Sequence, residues 1–201
     1  MYDKRKLLET ARDYIHLEAD AVRAVASQID DSFVDVAHRI MDVRGKVVVT
    51  GAGTSGTIAR RFAHLLNVTG TPAFFLSPVD ALHGSLGAIT EDDLLIAISK
   101  GGESAELTDM TARARQRGAH TIALTSMGVT SLGSVADEVV VVDSPDADLG
   151  GIIAMGSTLA HAAWGDALCM TLMDLKQYGW DRVLHSHPGG DVGKKGVDDV
   201  L

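Results

Sequence analysis

The hydrophobic positions of this chain change period along its length. Residues 3–28 place Leu7, Leu8, Ala11, Ile15, Leu17, Val22 and Val25 near helical spacing, and 31–42 form a second amphipathic stretch ended by Gly45. From residue 46, short continuous apolar runs alternate with longer segments of helical period. The runs predict strands at 46–50, 73–76, 94–98, 120–124 and 138–142. The segments between predict helices at 55–68, 104–117 and 156–178, with shorter pieces near 78–83 and 131–135. This alternation predicts an α/β fold, a three-layer sandwich with a five-stranded parallel sheet between helices. Leu94–Ile98 and Val139–Val142 are apolar throughout, as strands covered on both faces should be. Right-handed crossovers and the order 2-1-3-4-5 place a ligand crevice where the first and third strands diverge.

The helix expected at 156–178 is apolar nearly all round, with Ser157 as its natural N-cap. With the N-terminal helix it offers more apolar surface than a monomer should expose, so a homo-oligomer is expected, a twofold-symmetric tetramer first. The 201 residues suit one domain: helices over 3–43, a core over 46–180, and a C-terminal segment over 184–201 that ends in a polar, Gly-rich tail.

Charge and cysteine content narrow the partners. The net charge is −9, and no basic run is present, so nucleic acid is not expected to bind. An anionic ligand must be held by local donors and helix dipoles. The single cysteine, Cys169, excludes an internal disulfide and a Cys-rich zinc site. The N-terminus lacks an apolar signal core, and no apolar run is long enough to cross a membrane; the expected location is cytoplasmic.

The candidate chemistry lies in two turns at the predicted crevice. Val47-Val-Val-Thr-Gly-Ala-Gly-Thr-Ser-Gly56 runs from strand through a glycine-rich turn into a helix. Leu94-Leu-Ile-Ala-Ile-Ser-Lys-Gly-Gly-Glu-Ser104 does the same. Such turns aim backbone N–H groups and a helix start at an anion, and the pair points to a small phosphorylated ligand. Gly51, Gly53 and Gly56 also satisfy G-x-G-x-x-G. A dinucleotide site, however, wants an acid at the end of the second strand. Here Ser77-Pro78 follows that strand, and the first acid is Asp80.

Ser55, Ser99 and Ser104 are placed to cap helices or ligate phosphate, Lys100 to screen it, and Glu103 to favour a helix start or face a sugar. Of eight histidines, His83, His185 and His187 fall in Gly/Pro-punctuated segments, where functional residues gather. His185 and His187 have no evident third partner for a metal.

Four segments together resemble the sugar isomerase (SIS) domain, and within it the arabinose-5-phosphate isomerase group. They are Gly51-Ala-Gly-Thr-Ser-Gly56, Ala81-Leu-His-Gly-Ser-Leu-Gly87, Ser99-Lys-Gly-Gly-Glu-Ser104 and Ser186-His-Pro-Gly-Gly190, with Gly165-Asp-Ala-Leu168 as a further match. Members usually continue into paired CBS domains, so this chain is expected to be the SIS domain alone. The resemblance implies a flavodoxin-like α/β sandwich, a tetramer with sites near subunit contacts, and aldose–ketose isomerisation of a phosphosugar through an enediol, without cofactor or metal. It implies a phosphate site at Gly53, Thr54, Ser55, Ser99, Lys100, Gly102 and Ser104. His83, Glu103 and His187 would be catalytic, and Asp146 and His185 would be further substrate contacts. A 6-phospho-3-hexuloisomerase and a non-catalytic sugar-phosphate sensor are the alternatives. The chain departs from the family pattern in carrying Thr54 for Lys, Gly101 for Ser, Asp146-Ala-Asp-Leu149 for Glu-Ala-Cys-Pro, and Ala154-Met-Gly-Ser-Thr158 for a Thr/Ser-rich stretch.

Overall fold

The protein is described from a computed structural model, covering residues 3–144 and 147–200. Two helices, α1 (Lys4–Val25) and α2 (Asp31–Met41), precede the sheet. The core then runs β1 (Val47–Gly51), α3 (Gly53–Val68), β2 (Ala73–Phe75), α4 (Pro78–Leu82), β3 (Leu94–Ile98), α5 (Ala105–Gln116), β4 (His120–Thr125), α6 (Ser131–Val135) and β5 (Glu138–Val141). The last two helices are α7 (Gly156–Leu175) and α8 (Trp180–Ser186). The sheet is parallel throughout, in the order β2-β1-β3-β4-β5 that the sequence predicts. No helix among the described residues is long and apolar enough to cross a membrane.

Side-chain alternation along the central strands builds the three layers. Val47, Val49, Leu94, Ile96 and Ile98 face one way, onto Phe33 of α2, Phe62 and Leu66 of α3, and Trp164 and Leu168 of α7. Val48 and Leu95 face the other way, toward Ala81 of α4 and Met110 of α5, while Ala97 and Ala123 meet Leu107 and Leu132. Trp164 is the hinge of the thicker layer, edge-on to Phe33 at 5.6 Å and to Phe62 at 6.5 Å between ring centroids. Gly165 lets α7 approach closely, since a Cβ there would stand 3.1 Å from the Phe62 ring. At the opposite end from the crevice, buried Asp93 accepts from Lys46 Nζ at 2.9 Å and from the Thr90 amide at 2.8 Å, tying the starts of β1 and β3.

Two local expectations are corrected. Ser157 does not cap α7; the N-cap position falls on Met155. Asp148 does that work instead, accepting from the Met155 and Ser157 amides at 2.7 and 3.0 Å and from the Ser157 hydroxyl at 2.6 Å. A carboxylate from a preceding segment outcompetes a hydroxyl on the helix itself because the charged acceptor makes stronger bonds. The Gly/Pro-punctuated segment at 184–190, expected as loop, begins inside a helix: Trp180–Ser186 form α8, with buried Val183 holding it down. The helix stops just before Pro188, whose ring disfavours helical backbone in the residue ahead of it.

Candidate active site at two helix starts

The crevice forms where β1 and β3 lie side by side and their chains turn into α3 and α5. The first turn is shaped by close approach. Gly53 has φ +57°, and a Cβ on Gly56 would stand 2.7 Å from the Gly51 carbonyl oxygen. Ser55 sits half-buried in the first turn of α3, and Thr54 is exposed beside it. In the second turn Gly102 has φ +65°, and a Cβ there would run into Thr130 at 2.5 Å. The Gly102 amide donates to Ser99 Oγ at 3.1 Å. That bond occupies a lone pair of the hydroxyl and leaves its proton free to donate to an anion.

The helix starts here differ from the others. Helices α1, α2, α4 and α6 are capped by the side chains of Asp3, Asp30, Ser77 and Thr130, and α7 borrows Asp148. Neither Ala52 before α3 nor Ser104 before α5 provides a side-chain cap, although Ser104 is chemically able to. The short α8, which follows Gly179, is the other α-helix without one among the described residues. The first amides of α3 and α5 have no acceptor within their own helix, so they are available to a ligand.

Glu103 is tied down. Its carboxylate accepts from the Ser131 hydroxyl and, at 3.0 Å, from the Ser131 amide at the start of α6. Those bonds, the hydroxyl's first, hold its pKa below the usual glutamate value. Lys100 stays close to the turn but pairs with Asp148. His83 follows α4, exposed on the wall of a cavity of about 300 Å³ shared with Arg60, Phe75, Ser77, Asp80 and Ser85. The Arg60 guanidinium stacks 4.0 Å from the Phe75 ring centroid. A larger cavity, about 530 Å³ between α2 and β5, is lined by Asp35, His38, Arg39, Asp42 and Glu138 and lies away from both turns. Its one arginine, Arg39, is already paired with Glu138, and the two remaining carboxylates disfavour a phosphate.

His187 caps the end of α8 and lies against α3, its ring 6.4 Å from that of His64. His64 is nine residues beyond Ser55 on α3, about 13 Å along the axis at the helical rise. Within one chain, then, His187 sits beside the flank of α3 and not among the turn hydroxyls. His185 is exposed in the last turn of α8. Asp146 lies outside the described residues. Among the described residues, no three His, Cys, Asp or Glu side chains come together as a metal set.

Sequence reading gave Asp148 no role of its own and His161 only a packing or surface role. Burial alone would raise the Asp148 pKa, but bonds from Lys100, Ser157 and Met155 hold it at about 2. His161 is buried with Nε2 3.2 Å from Ser126 Oγ, and burial pushes its pKa down to about 4. Neither stood out as a site residue, because burial and the pairing of Asp148 with Lys100 are not written in a residue's type.

This fold and crevice define a class, and the chain belongs to it: residues 40–168 match the family model described as SIS domain. It is similar to the arabinose 5-phosphate isomerase KdsD of Pseudomonas aeruginosa, at 32% identity over 96% of this chain and 61% of the relative. It is similar as well to the arabinose 5-phosphate isomerase GutQ of Shigella flexneri, at 34% identity and the same coverages. The chain thus spans about three fifths of the length of these curated relatives. An Escherichia coli structure in complex with arabinose 5-phosphate superposes with a TM-score of 0.89 at 31% identity, covering 93% of this chain and all of that one. A putative sugar-phosphate isomerase from Listeria monocytogenes superposes at 0.88 and 32% identity, covering 94% of this chain and all of its own.

Proposed function

We propose that this chain binds a phosphosugar at the crevice between α3 and α5 and interconverts its aldose and ketose forms through an enediol, with arabinose 5-phosphate as the leading substrate. The observation that carries the reading is the pair of helix starts without side-chain caps, on turns that leave the adjacent ends of β1 and β3 and carry Ser55, Ser99 and Ser104. Two dipoles and a set of hydroxyls suit a dianion in a chain whose own charge repels it. The phosphate seats on Gly53, Thr54, Ser55, Ser99, Gly102 and Ser104, with Lys100 beside it. The isomerisation needs a base to take the C2 proton and return it at C1, and a donor at the carbonyl oxygen. A histidine titrating near neutrality serves in either role. We assign the base to His187, delivered by a neighbouring subunit, and the carbonyl donor to His83. Asp146 and His185 are further sugar contacts. Glu103, kept ionised by Ser131, is a weaker base than free glutamate, so its part is to hold the turn in shape.

The site is completed in a homotetramer, and the protein works in the cytoplasm. No organic cofactor is needed, because the proton, not a hydride, is what moves. The hold of Ser131 on Glu103 also favours a second reading, a sugar-phosphate sensor without turnover.

Turnover of arabinose 5-phosphate in deuterated water separates the two. An isomerase forms the ketose and places deuterium at C2 of recovered aldose. Tight binding with neither turnover nor deuterium uptake would leave the sensor.

A further inference from the structure

Lys100 is the one basic residue in the Ser99–Ser104 turn, and its charge is already spoken for. Its Nζ lies 2.6 Å from Asp148 Oδ2 and 3.2 Å from the Gly151 carbonyl oxygen. The Asp148 side chain is 3% exposed, and that of Lys100 is 35% exposed. Asp148 is held in place without the lysine, by the amides of Met155 and Ser157 and the Ser157 hydroxyl. The lysine backbone is fixed as well: its carbonyl accepts from the Ser126 amide at 3.0 Å, and the Ser99 amide donates to the Leu124 carbonyl at 3.0 Å. What can move is the four-carbon stem that carries the ammonium. From a fixed Cα inside the turn, that stem can rest its charge on Asp148 or bring it over the mouth of the turn.

We propose that Asp148 is an internal anion that competes with the ligand's phosphate for the Lys100 ammonium, and so sets how tightly the turn holds a phosphosugar. The inference rests on the reading of this turn as the phosphate seat. It makes Asp148 an affinity-determining residue that acts through Lys100, without touching substrate. Drawing Lys100 away leaves a buried carboxylate with one counter-charge fewer, and that cost is subtracted from ligand binding. A singly charged anion offers Lys100 no more than Asp148 does. A phosphate dianion offers more, so the arrangement selects for it. The same competition helps release, because Asp148 takes the ammonium back as the product leaves.

Calorimetric titration of arabinose 5-phosphate into four proteins tests this: wild type, Asp148→Asn, Lys100→Met and the double variant. Asparagine keeps a carbonyl oxygen for the α7 amides but carries no charge. Asp148→Asn should bind the sugar phosphate at least fivefold tighter, and Lys100→Met at least fivefold more weakly. In the Lys100→Met background, Asp148→Asn should change affinity by less than twofold. A residue that only fastens α7 would loosen binding and lower Tm together when replaced, so the gain in affinity is the telling readout. Unchanged or weaker binding by Asp148→Asn at a wild-type Tm overturns the inference. Should that variant fold poorly, Lys100→Met decides alone, and wild-type affinity there overturns it equally. Wild-type binding that depends on Ser55 and Ser104 but not on Lys100 or Asp148 sinks this inference and leaves the phosphate site standing. Wild type that binds neither arabinose 5-phosphate nor inorganic phosphate sinks both.

Discussion

Two adjacent glycines in the second turn have opposite reasons to be glycine. A Cβ on Gly102 would press into Thr130 at 2.5 Å from a backbone at φ +65°. A Cβ on Gly101 would meet nothing within 4 Å. Gly102→Ala should therefore distort the turn and weaken phosphosugar binding at least tenfold. Gly101→Ser should fold as wild type and add a hydroxyl at the phosphate. One hydrogen bond to a charged group corresponds to roughly a tenfold gain in affinity, readable by the same titration; a loss of affinity would place the phosphate elsewhere. His161 gives the molecule a pH signature. Its pKa is about 4 when folded and near 6.5 when unfolded, so the unfolded chain binds the extra proton between those values. Its contribution is intact above pH 6.5 and is lost as pH falls toward 4, by about 3 kcal/mol. Urea midpoints measured across that window should fall in wild type and fall less in His161→Gln. The Asp148 carboxylate, at about 2 when folded, loses its contribution only below its unfolded value of 3.8, in a separate window. Sequence alone could name Ser55, Ser99 and Glu103, because turn chemistry is local. It could not find the partners that tie down Glu103 and Lys100, since Ser131 lies 28 residues from Glu103 and Asp148 lies 48 from Lys100.

At the scale of elements, strands were the legible part. Each of the five apolar runs became a parallel strand within a residue or two at either end. Burial on both faces explains β1, β3 and β4, whereas the edge strands β2 and β5 are only partly buried and Val141, expected to be covered, is exposed. Helix starts were less legible, since a cap is defined by geometry as much as by residue type. Ser104 has the right chemistry and position but makes no side-chain cap, whereas Asp148 caps a helix that begins eight residues later. The two kinds of cap predict different mutational rankings at α7. If Ser157 were the cap, Ser157→Ala would cost the usual one or so kcal/mol and Asp148→Ala would cost little. With Asp148 accepting two amides and a hydroxyl, Asp148→Ala should cost about 2–3 kcal/mol and Ser157→Ala clearly less. Thermal or urea denaturation of the two variants gives the order directly. The missed α8 has a similar cause. Seven residues anchored by one buried valine leave too short a period to read, and the histidines at its end drew attention to a loop that begins only with His187.

At the scale of the whole molecule, α1 is a helix without enough protein to cover it. Only Ala21 and Val25 are buried along it, whereas Leu7, Leu8 and Ile15 are about half exposed or more. On α7, Met170 and Leu175 remain about half exposed too. These faces fit the proposed assembly, which would bring His187 of one chain to the turns of another. The proposal that His187 acts on a neighbour's substrate makes a quantitative prediction. His187→Asn keeps a hydrogen-bonding shape without a titrating ring, and should lower kcat on the order of 10²-fold or more with modest change in affinity. Ser55→Ala with Ser104→Ala in one chain should lose the phosphate seat. Each protein alone should be nearly inactive. Coexpressed in equal amounts, they form mixed oligomers in which some sites combine an intact turn from one chain with an intact His187 from another. Random assembly gives such sites one time in four, so about a quarter of wild-type activity should return if the site is shared between subunits. If His187 served its own chain, every site would carry one defect or the other, and mixing would restore nothing. Charged substitutions at Leu8 and Ile15 supply the control. Light scattering should show these variants as monomers, and the restored activity should vanish with the oligomer, because a turn and a histidine on separate monomers never meet.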